Sequence, residues 1–88
     1  MDKLRELLEK EQYPHVHTHK FIGMDSSAFR DGLVAFEAAH PYLERVSEKS
    51  SSDGKYFSLT YRFTAKSADE VISLYESSQR IPDIKIVL

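Results

Sequence analysis

The sequence predicts an α+β plait in the order strand, helix, strand, strand, helix, strand, with both helices on one face of a four-stranded antiparallel sheet. Three observations carry that reading. From Tyr56 the chain alternates strictly, with Phe57, Leu59, Tyr61, Phe63 and Ala65 on one side and Ser58, Thr60, Arg62 and Thr64 on the other. Such a period of two marks a strand with one buried and one wet face. A helix-starting signal follows at once, Ser67-Ala68-Asp69-Glu70, with the Ser-x-x-Glu spacing of a capping box. A second strand-then-helix pair precedes it, from His15 to Pro41.

Taken in order, residues 2–12 form a charged segment with Leu4, Leu7 and Leu8 at helical spacing, an apolar stripe that must dock on something because so short a helix is marginal alone. Pro14 ends it. His15 to Gly23 then reads as the first strand, and Ser26 or Ser27 caps a helix with Phe29, Leu33, Phe36 and Ala39 as its apolar positions. Gly32 inside that helix costs up to about 1 kcal/mol against alanine, so a close approach of helix to sheet is expected there. Pro41 disfavours a helical His40 and ends the helix. Tyr42 to Ser50 is a weaker, charged strand with Val46 as its clearest core residue; its Lys, Glu and Arg suit an edge. The turn at Ser51–Gly54 contains Asp53-Gly54, the usual pair of two-residue hairpin turns, and predicts positive φ at Gly54. Val71, Leu74, Tyr75 and Ser78 share one face of the second helix. Asp83 to Leu88 forms the last strand after Pro82.

Two right-handed split crossovers of this order give the ferredoxin-like βαββαβ arrangement with strand order 4-1-3-2. The chain reads as one domain, 1–88, with residues 1–13 as a helical arm and 14–88 as the plait. Its 88 residues bury only roughly 60–65% of the unfolded surface, enough for a single modest core. Twelve Lys and Arg against fourteen Asp and Glu give a net charge of −2, which argues against a strong nucleic-acid or anionic-membrane binder. With no cysteine, disulfides, thiolate zinc sites and cysteine nucleophiles are excluded. No stretch is apolar enough for a signal peptide or a membrane span, so a cytoplasmic location is expected.

On particular residues the chain resembles the YbeD-like family of small bacterial proteins, a domain of unknown function. These are Lys20 to Gly23, Ser51-Ser52-Asp53-Gly54-Lys55-Tyr56 with Ser58, Ala65, Leu74-Tyr75-Glu76 and Val87-Leu88. The resemblance covers about residues 4 to 88 and implies a fold akin to the ACT regulatory domains, which bind small effectors at subunit interfaces. It implies no catalytic residue. One departure stands out: His17 occupies a position that is usually apolar, and often aromatic, in relatives.

Four constellations bear on chemistry. His15, His17 and His19 alternate along a strand, about 6.6–7 Å apart on one side, and two or three imidazoles can converge on zinc, nickel or copper. Against this, the sequence offers no adjacent Asp, Glu or Cys, and the phase of the strand is ambiguous. The strand aromatics invite comparison with RNA-binding plaits, but Phe57, Tyr61 and Phe63 share the face of Leu59 and belong under the helices, leaving only Tyr56 outward. An acylphosphatase-like or Ser–His–Asp hydrolase has little support from Gly23-Met24-Asp25-Ser26 or from Ser26, His40 and Asp53. The polar stripe of Ser58, Thr60, Arg62 and Thr64 remains, on a central strand with no helix above it.

The sequence thus reads as a non-enzymatic regulatory or interaction module without a cofactor. It would bind a protein partner or small effector through its open sheet face or edge strands, with Arg62, Ser58, Thr60 and Tyr56 as candidate contacts. A homodimer is open to it through the same surfaces; nucleic acid and membrane are not expected partners. The alternative is a metal-binding or small hydrolytic protein using His15, His17 and His19.

Overall fold

The computed structural model describes residues 2–88. Its elements are α1 (Asp2–Glu9), β1 (His15–Met24), α2 (Ser27–Ala39), β2 (Glu44–Ser50), β3 (Tyr56–Ala65), α3 (Ala68–Ser78) and β4 (Ile84–Val87). The four strands form one antiparallel sheet ordered β2-β3-β1-β4, which is the expected order read from the other edge.

The core is built by the period of two in β3. Phe57, Leu59, Tyr61, Phe63 and Ala65 are all buried, and they pack with Phe21 of β1, Phe29, Leu33 and Phe36 of α2, and Val71, Ile72 and Leu74 of α3. Both helices start where a serine caps them. Ser26 accepts from the Phe29 amide at 3.0 Å and Ser67 from the Glu70 amide at 3.3 Å. The Glu70 carboxylate reaches back to the Lys66 amide at 2.8 Å, one residue before the position a capping box predicts. Along α3, Ile72 joins the buried face, while Tyr75 is only half-buried. In α2, Ala39 is exposed and the buried face ends at Phe36.

The phase of β1 resolves in favour of the histidine side. Phe21 and Gly23 are buried, His17 and His19 are half-buried on the same side, and Val16, Thr18 and Lys20 are exposed. Gly23 is required there, because a Cβ would come within 2.6 Å of the Phe29 ring and 2.7 Å of the Asp83 carbonyl. Gly32 also marks a close approach, but to the segment after α3 and not to the sheet: an added Cβ would lie 2.9 Å from Pro82 and 3.1 Å from Ile81.

The arm is shorter than the charged segment suggests, ending as a helix at Glu9. Leu8 joins the core and Leu4 packs at its margin, while Leu7 is 62% exposed. Arg5 ties the arm to α3 through Asp69 at 2.6 Å.

Two expectations fail along the outer hairpin. Val46 is 48% exposed and every residue of β2 lies open to solvent. The register shifts between Arg45 and Ser47, and an extra residue in a strand leaves its side chain out of the alternation. The inward position goes to Arg45, which holds Glu37 of α2 through two nitrogens at 2.9 and 2.7 Å. The loop from β2 to β3 is also longer than a two-residue turn. Ser51 and Tyr56 close it, with the Ser51 amide donating to the Tyr56 carbonyl at 2.9 Å. Gly54 within it has φ 74°, as the Asp-Gly pair predicts.

Candidate functional site

The face of the sheet opposite the helices is assembled from all four strands by register. On β3 it carries Tyr56, Ser58, Thr60, Arg62 and Thr64. Ile22, Lys20, Thr18 and Val16 of β1 stand opposite Ser58, Thr60, Arg62 and Thr64. From β2, Lys49 faces Ser58, Ser47 faces Thr60 and Glu44 faces Arg62. Ile86 of β4 lies beside Ile22. Directly opposed residues in an antiparallel pair point to the same side, so these side chains share one surface. Tyr56, Val16 and Ile86 are 43%, 56% and 47% exposed, large apolar groups set among hydroxyls and lysines.

All four candidate contacts named from the sequence lie on this surface, but they are not equally available. The Arg62 guanidinium is already paired, Nη2 to Glu44 Oε1 at 2.9 Å. An exposed pair of this kind contributes little to stability, but an incoming carboxylate has to displace it. Ser58 donates its hydroxyl to the Lys49 carbonyl at 3.3 Å, and its oxygen remains an acceptor. Near the hairpin end a cleft of about 330 Å³ opens between Lys20, Ile22, Lys49, Ser51, Tyr56 and Ser58. Arg62 is outside it. The two lysines bring positive charge over an apolar floor, and sequence reasoning passed over both. Their signal was the register alone: once Lys20 falls opposite Thr60, and Lys49 opposite Ser58, the wet stripe of β3 acquires two cations.

The other side of β3 offers no such surface. Tyr61 is fully buried and donates its hydroxyl to Glu37 Oε2 at 2.6 Å. Burial, then the Glu37 carboxylate, pushes that phenol far up. Burial alone would raise the Glu37 carboxyl, but hydrogen bonds from Arg45 and Tyr61 outweigh it and hold the group below its ordinary value. With Phe57 and Phe63 also buried, the inward aromatics of β3 are core, and only Tyr56 stands on the open face.

The histidines divide. His17 stacks between aromatic neighbours, its ring 6.4 Å from Tyr13 and 6.1 Å from Phe63, which explains how a histidine fits a position where an aromatic is expected. His19 turns its Nδ1 to the Leu88 carbonyl at 3.3 Å, and burial pushes its imidazole down, with His17 adding to the effect. The expectation that no acid lies nearby is overturned. Glu11, in the connection from α1 to β1, reaches His17 Nε2 at 3.0 Å and His15 Nε2 at 3.9 Å.

The fold and its open face define a small ACT-like α+β domain. The ACT domain from the GTP pyrophosphokinase of Chlorobium tepidum superposes with a TM-score of 0.63 at 9% identity, over 83% of this chain and 94% of that one. Protein HP0495 from H. pylori gives 0.66 at 15% identity, over 90% of this chain and 86% of that one. By sequence, a UPF0250 protein of Shewanella woodyi is 37% identical over 87 residues, covering 98% of this chain and 96% of its own. One from Yersinia pestis is 34% identical over 98% of this chain and 97% of its own. Residues 9–88 match the family described as "Protein of unknown function (DUF493)", and the chain belongs to that family. Among the described residues no helix is long and apolar enough to cross a membrane.

Proposed function

We propose that this protein is a non-enzymatic regulatory or interaction module, and that it receives a small effector or a protein partner on the open face of its sheet. One observation carries the reading. A central strand and both its neighbours present exposed apolar side chains, hydroxyls and two lysines on a face that no helix covers, with a cleft at its hairpin end. Ligand sites combine an apolar lining with a few placed polar groups, and the Lys20–Lys49 pair with Tyr56 and Ser58 meets that description for a small carboxylate. The ACT-like fold of the domain supports the same class of role as an analogy of architecture.

A chemical-shift titration tests it, with free amino acids and short dicarboxylates as probes. The expected result is saturable movement of the Lys20, Ile22, Lys49, Tyr56 and Ser58 amides. In the Lys20→Ala/Lys49→Ala variant that movement should vanish while the melting temperature stays within about 3 °C. Movement confined to the helix side would sink the reading. No movement with any probe would remove the small effector and leave the open face to a protein partner.

A further inference from the structure

On the opposite side of the sheet from the cleft, the start of β1 and the connection before it hold an arrangement that the open-face reading does not use. Glu11, His15 and His17 place one ligand atom each within 4.8 Å of one another. Glu11 Oε2 and His17 Nε2 lie 3.0 Å apart and pair as ions only when the imidazole carries a proton; both atoms are shut off from solvent and neither has an aligned hydrogen bond. Buried polar groups left in that way are costly. A metal cation held by both offsets the cost without a proton on the imidazole.

We propose that Glu11, His15 and His17 form a binding site for a zinc-like divalent transition-metal ion. The donor set selects the class, since imidazole suits zinc, nickel and copper while magnesium and calcium want oxygen ligands throughout. Bonds of about 2.0–2.2 Å at tetrahedral angles put ligand atoms about 3.3–3.5 Å apart. The two separations from Glu11, 3.0 and 3.9 Å, bracket that spacing, and rotation of the three side chains, whose ligand atoms all lie within 4.8 Å of one another, brings them to it.

The site is also held in place. His15 and His17 alternate on one strand, and the His17 ring stacks on Tyr13 at 14° and on His19 at 4° between planes. Tyr13 in turn donates to the Leu8 carbonyl at 2.8 Å, which fixes the connection carrying Glu11. His19 is left out of the ligand set because it lies outside the cluster, although its Nδ1 is turned to Leu88 and its Nε2 is buried without a partner. Three protein ligands leave a fourth position for water, and the bound ion would fasten the α1 connection to the sheet.

Zinc calorimetry and the visible absorption of added cobalt test the proposal on the whole chain, beside thermal melts with and without each metal. The wild type should bind one equivalent, show the intense bands of tetrahedral cobalt and melt higher with metal, as any ligand of the native state requires. Glu11→Gln, nearly isosteric, and His15→Asn, at an exposed position, should each weaken binding by about tenfold or more, given that even supporting partners of a ligand cost that much. His19→Ala should bind as the wild type does. Absence of saturable binding to the wild type overturns the site. So does binding that survives Glu11→Gln and His15→Asn, or that depends on His19 as much as on Glu11. His17→Ala is the most direct removal; because it also loosens packing, its result is read only if the variant's circular dichroism matches the wild type.

Discussion

Leu59 and Thr60 are neighbours on β3. Leu59 is 1% exposed within the core, whereas Thr60 sits half-exposed on the open face opposite Lys20. The same comparison repeats along the strand, with Tyr61 against Arg62 and Phe57 against Tyr56. On the inner face each side chain is fixed by what it touches from two helices, so its identity is dictated by shape. On the outer face the constraints are solubility and whatever binds there. That difference teaches where to look for function: the outer residues are the ones the fold leaves free to vary.

The largest effect expected from breaking this contrast is at Leu59. Leu59→Ala should cost about 2–5 kcal/mol in urea unfolding, from lost burial plus the cavity left behind. Next comes Tyr61→Phe, which takes away the hydroxyl bonded to the Glu37 carboxylate, at about 1.5–3 kcal/mol for a hydrogen bond to a charged group. The same network fixes an acid limb. Glu37 has a native pKa below its ordinary value of 4.5. Its contribution is therefore complete above about pH 4.5 and is lost as the pH falls through the lower native value. Melting curves of Glu37→Gln should show a flatter fall across that window than the wild type; equal slopes would remove Glu37 as the source. Gly54→Val, in the hairpin loop, should cost about 1–3 kcal/mol because a β-branched residue is strained at φ 74°. An unchanged urea midpoint would contradict the left-handed turn. Thr60→Ala should change stability by no more than about 0.5 kcal/mol. If Thr60→Ala and Leu59→Ala were equally costly, the distinction between the two faces would fail.

What was legible in the sequence follows from the same physics. The period of two in β3, the serine caps at Ser26 and Ser67, and the glycine at positive φ are local signals, written within a few residues of where they act. They were enough for the fold and for the face on which Arg62, Ser58, Thr60 and Tyr56 lie. Val46 misled because a bulge shifts the phase of β2 by one residue, and alternation alone cannot show where a strand slips. Arg62 read as an available cation because its partner, Glu44, sits on a neighbouring strand whose register was not known. Glu11 was passed over for a related reason. It lies only a few residues before His15, but it meets the histidines because the connection from α1 folds back onto β1. Lys20 and Lys49 are far apart in the chain and meet only across β3.

The register of the sheet has a further consequence for how the chain reaches this state. Its two central strands, β1 and β3, are joined through residues as distant as His15 and Ala65, with Met24 and Tyr56 the nearest in sequence. The β2–β3 hairpin closes across a short loop and can form early, whereas the central pairing must first meet the entropy of closing a long one. Topology of this kind places folding toward the slower part of the range for small mixed domains. Until β1 docks, the hairpin's row of Phe57, Leu59, Tyr61 and Phe63 stands uncovered, so the interval before that step is when the chain is most prone to aggregate.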